Sequence, residues 1–147
     1  MKILVLNGPN LKLLGLREPE IYGSGTLADA EALAIAAGKQ LGAHVDCYQS
    51  DIEGELVRKI GEARGVYDGI VINPAAYTHT SIALRDAIVA VGIPTVELHI
   101  SNTHKREAFR HVSYTAPVCM AQLQGFGLQG YSLAVAGLIA HLQVSKK

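Results

Sequence analysis

The alternation of short apolar runs with longer amphipathic segments most limits what this chain can fold into. Five apolar runs, at residues 3–6, 43–48, 69–72, 95–100 and 117–123, have the length and composition of strands. Longer segments predict helices over about 26–41, 51–63, 80–91 and 130–144. Strands that alternate with helices form βαβ units with parallel strands. We therefore predict an α/β fold, a flavodoxin-like doubly wound five-stranded parallel sheet with helices on both faces.

Residues suited to helix ends support these boundaries. Thr26, Asp51 and Thr80 each stand where a side-chain oxygen can cap the first turn of a predicted helix, and Gly92 stands where one should end. The last predicted helix is apolar around much of its circumference. The residues concerned are Leu133, Val135, Leu138, Ile139 and Leu142. We expect this helix to be covered on more than one side, which favours a homo-oligomer.

Size and charge exclude several classes of protein. The 147 residues suit one domain, and 13 Lys and Arg residues balance 13 Asp and Glu residues, so the basic excess typical of nucleic-acid binding is missing. The apolar opening run is too short for a secretion signal, and no stretch has the length of a membrane span. Cys47 and Cys119 have no metal-binding spacing. We expect a single cytoplasmic catalytic domain over residues 1–147 that contacts neither membrane nor nucleic acid.

Polar side chains follow the predicted strands where each strand ends. Asn7 and Asn10 follow the first strand, Asn73 ends the third, and His99 ends the fourth with Ser101 close behind. In doubly wound sheets, ligands bind beyond the carboxyl ends of the strands. The sequence therefore predicts a functional site at this edge.

The connection after the first strand is long enough to form a lid. It covers about residues 8–25, whereas most strand-to-helix loops have about 2–6 residues. Long loops of this kind often close over binding sites. Arg17 and Tyr22 both lie in it. An isolated tyrosine has a pKa of about 10, and a nearby guanidinium lowers that value, so the pair could supply a base.

Glu97 and His99 lie two residues apart on a predicted strand, so they face the same side. A carboxylate beside an imidazole fixes the tautomer and favours the protonated form, which prepares a general acid. A purely structural hydrogen bond is the alternative.

Two patterns suggest a metal or a cofactor, and neither is complete. His79, Asp86, Glu97 and His99 match no standard metal-ligand spacing. Residues 125–130 match GxGxxG, but the dinucleotide fingerprint needs a later strand with an acidic residue about 20 positions on. We interpret these glycines as a tight turn with close helix–sheet packing. We therefore expect no metal and no cofactor.

A flavodoxin-like binding or signalling domain without chemistry is the competing class. A receiver domain should have an acidic pair after the first strand and an aspartate ending the third, where this chain has Asn7 and Asn73. A flavin-binding module should have a hydroxyl-rich loop where this chain has residues 7–10, NGPN. Both interpretations are disfavoured.

Several segments together resemble the type II 3-dehydroquinate dehydratase family. They are NGPNLKLLGLREPEIYG (7–23), NPAAYTHTS (73–81), LRD (84–86), ELHISN (97–102), REAFRH (106–111) and GFGLQGY (125–131). The resemblance spans essentially the whole chain in order. It implies reversible anti elimination of water from 3-dehydroquinate through an enolate, giving 3-dehydroshikimate, in the shikimate pathway or in quinate breakdown.

The resemblance also implies the catalytic roles. Tyr22 is the base, and Arg17 stabilises its phenolate and the transition state. His99 is the acid, oriented by Glu97. Asn10 positions water facing the developing enolate.

The remaining roles concern the substrate. Asn73, His79 and Arg110 would bind its hydroxyls, while the backbone amides of Ile100 and Ser101, with the Ser101 hydroxyl, would bind its carboxylate.

The family further implies a dodecamer of four trimers, in which Asp86 reaches a neighbour's site. Arg106 matches as well and would add positive potential near Tyr22. The sequence departs from the family pattern at Lys12, usually Asn, and at Val112, often His. Neither position carries a predicted chemical role.

Overall fold

The computed structural model describes residues 1–16, 18–22 and 24–146, apart from the side chains of Pro19 and Tyr22. Its described strands form a parallel sheet in the order β2-β1-β3-β4-β5, the flavodoxin type that the sequence predicts. The strands are β1 (Lys2–Asn7), β2 (His44–Gln49), β3 (Gly69–Asn73), β4 (Thr95–His99) and β5 (Ala121–Gln124).

Helices cover both faces of this sheet, as expected. They are α1 (Pro19–Tyr22), α2 (Leu27–Gln40), α3 (Glu53–Glu62), α4 (Ile82–Val91) and α5 (Gln129–Ser145). Helices α2 and α5 pack together on one face, while α3 and α4 pack on the other. No helix in the described part of the chain is long and apolar enough to cross a membrane.

The central strand β1 supplies side chains to both hydrophobic cores. Ile3 and Val5 face the α2–α5 side, whereas Leu4 and Leu6 face the α3–α4 side, and all four are fully buried. Successive side chains of a strand point to opposite faces, so a strand covered on both faces is apolar throughout. This explains why the run at residues 3–6 has no polar alternation.

Helix α5 is covered on two sides within a single chain, by the sheet and by α2. Val135, Leu138, Ile139 and Leu142 are buried there, while Leu133 is 47% exposed. Contacts within the chain therefore account for most of the apolar character of α5. The inference from α5 to a partner subunit does not hold, because it took these buried residues to need an outside surface.

The predicted helix caps are correct at one position and displaced at another. Thr26 caps α2 through a reciprocal capping box with Asp29. Thr80 does not cap α4, because Ser81 takes that place and accepts a 2.9 Å hydrogen bond from the Leu84 amide.

Asp51 does not cap α3, which begins after Ile52. Its carboxylate instead accepts a 3.0 Å hydrogen bond from the backbone N–H of Asn10, in the loop after β1. A contact across 41 residues thus replaces the local one that the sequence suggested.

The fifth strand is shorter than predicted and begins later, at Ala121 rather than at 117. Pro117 lies in a 3₁₀ turn, Ala116–Val118. Proline has no backbone N–H for the sheet ladder, so the strand starts beyond it.

Two glycine positions permit close approaches near the carboxyl edge of the sheet. A Cβ on Gly8 would lie 2.5 Å from the Pro74 carbonyl oxygen, so the loops after β1 and β3 pack backbone to backbone there. A Cβ on Gly130 would lie 2.8 Å from Cδ1 of Leu98 on β4. Gly125 adopts a φ of +92° in the preceding turn. The GxGxxG segment therefore forms a tight turn with close helix–sheet packing, as interpreted from the sequence.

Candidate active site

A cleft opens beyond the carboxyl ends of β1, β3 and β4. Side chains from four separate segments line it. Its polar members are Asn10, Asn73, His79, His99, Ser101, Thr103, Arg106 and Arg110, with Ile100 beside them. Of the strand-end residues that the sequence predicts to converge, Asn10, Asn73, His99 and Ser101 line this cleft, whereas Asn7 does not.

The floor of the cleft carries the pair formed by His99 and Glu97. Nε2 of His99 lies 2.5 Å from Oε1 of Glu97, so the two side chains face the same side of β4 as predicted. Glu97 is completely buried and His99 is only 6% exposed. Because Nε2 is engaged with the carboxylate beneath, Nδ1 is the ring nitrogen left for the cleft.

Glu97 is held in its ionised form. Burial alone would raise its pKa, but hydrogen bonds from His99, Thr78 and Thr115 and the charge of His99 lower it to about 2. The geometry thus places an ionised carboxylate directly beneath the imidazole ring on the cleft floor.

Asn73 is oriented by groups on both sides of its amide. Its Oδ1 accepts a 3.1 Å hydrogen bond from the Ala75 N–H, and its Nδ2 donates to the Tyr131 hydroxyl at 3.1 Å. Tyr131 in turn donates to Oδ1 of Asn7 at 2.6 Å. Sequence reasoning placed Asn7 at this edge without a role and missed Tyr131.

His79 presents one ring nitrogen to the cleft. Its Nδ1 donates a 2.7 Å hydrogen bond to the Val112 carbonyl, so Nε2 is the ring nitrogen left for the cleft. The contact uses only the backbone of Val112. The departure from the family pattern at this position therefore does not disturb His79.

Two guanidinium groups line the cleft, and each lies beside a carboxylate. Arg110 is held by Glu107, whose Oε2 lies 2.6 Å from Nε of the arginine. Arg106 lies 3.4 Å from the Ser101 hydroxyl and 3.7 Å from the Glu18 carboxylate. A cleft of this kind suits a small anionic ligand.

The loop after β1 is anchored in its first half. Leu11 and Leu14 are buried in the α2–α5 core, and Asn10 adopts a φ of +67° while its N–H is held by Asp51. Lys12, the other position at which the sequence departs from the family pattern, forms a 2.5 Å ion pair with Asp51. These contacts anchor the first half of the loop, and the second half follows it.

The predicted base and its partner fall in that second half. Tyr22 ends α1, but its side chain lies outside what the structure describes, and Arg17 lies outside the described residues. An ion pair between Glu18 and Arg106, at 3.7 Å, links this half of the loop to the wall of the cleft.

Asp86 lies on the exposed side of α4 and does not line the cleft of its own chain. The structure therefore does not bring it together with the other predicted site residues. Within residues 1–16, 18–22 and 24–146, no three His, Cys, Asp or Glu side chains are gathered to hold a metal ion.

Sequence reasoning also missed the groups that surround Glu97. Thr78, Ser113, Thr115 and Gln122 all donate hydrogen bonds to its carboxylate. Ser113 and Thr115 lie in irregular chain, where no periodic pattern distinguishes them. The one signal in the sequence was a glutamate, Glu97, placed between apolar neighbours on a strand.

Fold and cleft define a flavodoxin-type α/β protein whose site combines a carboxylate-backed imidazole with two guanidinium groups. The model of the dehydroquinase class II family matches residues 1–139. A 3-dehydroquinate dehydratase of Ruegeria pomeroyi is 59% identical over 95% of this chain and 94% of its own length. One from Nostoc is 57% identical over 97% of both chains. The chain belongs to the dehydroquinase class II family, and it is an enzyme of the hydro-lyase class.

Solved structures agree with this assignment. A type II dehydroquinase from Butyrivibrio crossotus has a TM-score of 0.91 at 50% identity, covering 94% of this chain and 97% of its own. A 3-dehydroquinate dehydratase-like protein from Bifidobacterium longum has a TM-score of 0.72 at 33% identity, covering 98% of both.

Proposed function

We propose that this enzyme catalyses the reversible anti elimination of water from 3-dehydroquinate, giving 3-dehydroshikimate through an enolate. The substrate has a ketone beside the carbon that loses its proton, and a hydroxyl on the carbon beyond. Removing the proton puts negative charge on the ketone oxygen, and the hydroxyl leaves as water once protonated. The same reaction serves the shikimate pathway and quinate breakdown.

The observation that carries this proposal is the Glu97–His99 pair on the cleft floor. The Nε2–H group of His99 donates to the Glu97 carboxylate 2.5 Å away. In the imidazolium, the proton on Nδ1 is therefore the one available to the cleft. His99 delivers that proton to the leaving hydroxyl. Glu97 stays ionised beneath it and stabilises the charged ring.

Tyr22 acts as the base from the lid, and Arg17 stabilises its phenolate. Asn10 holds a water molecule that faces the enolate oxygen. The anchored first half of the loop keeps Asn10 in place, while the second half brings Tyr22 over the substrate. No metal or cofactor takes part in this scheme.

The cleft walls bind the rest of the substrate. Asn73, His79 and Arg110 bind its hydroxyls, and the preset orientation of each supports this role. The Ser101 hydroxyl and the amides of Ile100 and Ser101 bind its carboxylate, with Arg106 adding positive charge beside Ser101.

We further propose one catalytic domain that works in the cytoplasm as a dodecamer of four trimers. In this assembly Asp86 projects from its exposed position on α4 into a neighbour's cleft. Its carboxylate would there orient a donor or accept a hydrogen bond from a substrate hydroxyl.

Ultraviolet absorbance after addition of 3-dehydroquinate tests the proposed reaction, because the product is a conjugated enone. The unmodified enzyme should give a rising signal. His99→Asn should lower the rate by about 10²–10⁴-fold, the range for a lost general acid. His141→Asn, on the exposed side of α5, is the matched control and should stay active. No signal from the unmodified enzyme would overturn the proposal.

A further inference from the structure

Three hydroxyl groups surround the buried carboxylate of Glu97 without lining the cleft. Thr78 Oγ1 lies 2.6 Å from Oε1, and Thr115 Oγ1 lies 2.7 Å from Oε2. Ser113 Oγ lies 3.0 Å from both carboxylate oxygens. We call Thr78, Ser113 and Thr115 the hydroxyl cage. None of them has a role in the proposed reaction.

The direction of the Ser113 hydrogen bond follows from its other partners. Its oxygen accepts from the backbone N–H groups of Thr115 at 3.2 Å and Ala116 at 2.9 Å. A hydroxyl oxygen has two lone pairs, so both are occupied, and its single hydrogen must be donated. That hydrogen goes either to Glu97 at 3.0 Å or to the Thr78 hydroxyl at 2.6 Å, which itself donates to Glu97. In either case Ser113 acts as a donor within the hydroxyl cage.

A carboxylate facing donors from every direction is stable only when ionised. An ionised carboxylate only accepts hydrogen bonds. A protonated one carries an O–H donor, which would face the O–H donor of a cage hydroxyl. With Glu97 ionised, Nε2 of His99 has to be the donor in the bond between them. Nδ1 is then the ring nitrogen left for the cleft.

We propose that the hydroxyl cage positions the acid of the reaction: Thr78, Ser113 and Thr115 hold Glu97 in place as an ionised acceptor, and Glu97 in turn fixes the ring of His99 with Nε2 toward the carboxylate and Nδ1 toward the cleft. This inference rests on the proposed role of His99 as the acid. The three residues are positioning residues, since they act through Glu97 and do not reach the cleft. Hydrogen bonds from Thr78 and Thr115 contribute to the low pKa of Glu97 against the upward effect of burial.

Few titratable groups face this cage. His99 lies on β4, the same strand as Glu97. Cys119 lies just before β5, and burial together with the charge of Glu97 raises the pKa of its thiol to about 12. Gln122 of β5 donates to Oε1 at 3.3 Å and does not titrate. A second cavity behind His99, lined also by Thr78 and Ser113, contains the titratable side chains of His79, His104, Arg110 and His111.

Thr115→Val tests the cage, because it removes the hydroxyl and keeps the shape. Glu97 then loses a donor, its pKa rises, and it becomes protonated at higher pH. The acidic limb of the kcat–pH profile should move up by about one pH unit, since a charged hydrogen bond is worth about one to two such units. KM should change little. Thr115→Ser should restore the original limb.

Thr95→Val is the matched control. Thr95 lies on the same strand as Glu97 and is equally buried, but its hydroxyl donates to the Ile93 carbonyl at 2.8 Å. This variant should lose stability without moving the pH profile. Ser113→Ala, in irregular chain, replaces Thr115→Val if that protein does not fold. An unchanged acidic limb in a folded cage variant would overturn the proposal.

A measurement that needs no turnover separates this inference from the proposed reaction. The side-chain carboxyl carbon of Glu97, followed by NMR in ¹³C-labelled protein, reports its ionisation directly. Thr115→Val should raise the titration midpoint, and equal midpoints would refute the cage. An enzyme that shows the raised midpoint but does not dehydrate 3-dehydroquinate would refute only the proposed reaction.

Discussion

The Tyr131 hydroxyl on α5 accepts a 3.1 Å hydrogen bond from the side-chain amide of Asn73. Tyr131 is fully buried, and burial raises its pKa well above the ordinary value, so the phenol stays neutral. It donates its proton to Asn7 at 2.6 Å. A helix that never reaches the cleft therefore sets the orientation of a cleft residue.

Tyr131→Phe should weaken substrate binding. The change leaves the Asn73 amide and the Asn7 carbonyl without their buried partner, which costs about 1–3 kcal/mol of unfolding free energy. Because Asn73 is then free to turn, KM should rise several-fold. Denaturant unfolding and steady-state kinetics measure the two effects.

Tyr67→Phe is the control for that experiment. The Tyr67 hydroxyl donates to Asp46 at 2.8 Å, far from the cleft, so this variant should lose stability and keep its KM. Equal KM values in the Tyr131 variant and the unmodified enzyme would show that α5 does not orient Asn73.

Tyr22→Phe should keep the fold and lose turnover by about 10²-fold or more, because the phenol that removes the proton is gone. Substrate affinity should fall much less. Absorbance kinetics and equilibrium binding distinguish the two. Tyr114→Phe removes an exposed phenol elsewhere and should remain active. Near-normal turnover without the Tyr22 hydroxyl would refute its role as the base.

Activity should survive exhaustive dialysis against a chelator, and borohydride should trap no covalent substrate adduct. Both expectations follow from a scheme that uses only side-chain acid and base groups. Activity assays before and after dialysis and mass spectrometry of the treated protein decide them. Restoration of lost activity by an added metal, or an adduct on any lysine, would contradict the scheme.

Glu97 should contribute stability that disappears in acid. Its folded-state pKa of about 2 lies below its ordinary 4.5, so the contribution is complete above pH 4.5 and is lost as the pH falls toward 2. Between these values the unfolding free energy should fall more steeply for the unmodified enzyme than for Glu97→Gln. Glu62→Gln, an exposed change on α3, should leave the slope unaltered. Parallel curves for the unmodified enzyme and Glu97→Gln would disprove this contribution.

Dissociation of the proposed dodecamer should lower activity even when each subunit stays folded, because Asp86 would then be withdrawn from the neighbouring cleft. Sedimentation alongside the absorbance assay tests this on dilution. Reassembling a mixture of Asp86→Ala and His99→Asn subunits offers a sharper test. Each variant alone lacks a complete site, whereas a mixed contact restores one. A fully active monomer would show that the interface contributes nothing to catalysis.

The parts of the fold that sequence could predict depend on neighbours along the chain. The cap that Thr26 forms with Asp29 spans three residues, and the apolar run of β1 is visible within residues 3–6 themselves. The alternation of Glu97 and His99 on one strand is equally local. These features need no knowledge of distant segments.

The features that escaped prediction depend on distant contacts. Asp51 has the composition of a cap, yet its carboxylate holds Asn10 across 41 residues. The cage around Glu97 draws Thr78 from before α4 and Thr115 from before β5. Only the packing of the sheet and its loops brings such groups together, so local patterns do not reveal them.

The hydrogen bond between Tyr131 and Asn7 can form only after α5 has been synthesised, long after β1. It joins residues separated by 124 positions. At about 5–20 residues per second, a ribosome needs roughly 6–25 seconds to add that stretch. Throughout this interval the face of β1 that bears Ile3 and Val5 has no α5 to cover it. Strand β1 is thus made long before the helix that covers it, and during that delay its apolar face is a surface to which a chaperone can bind.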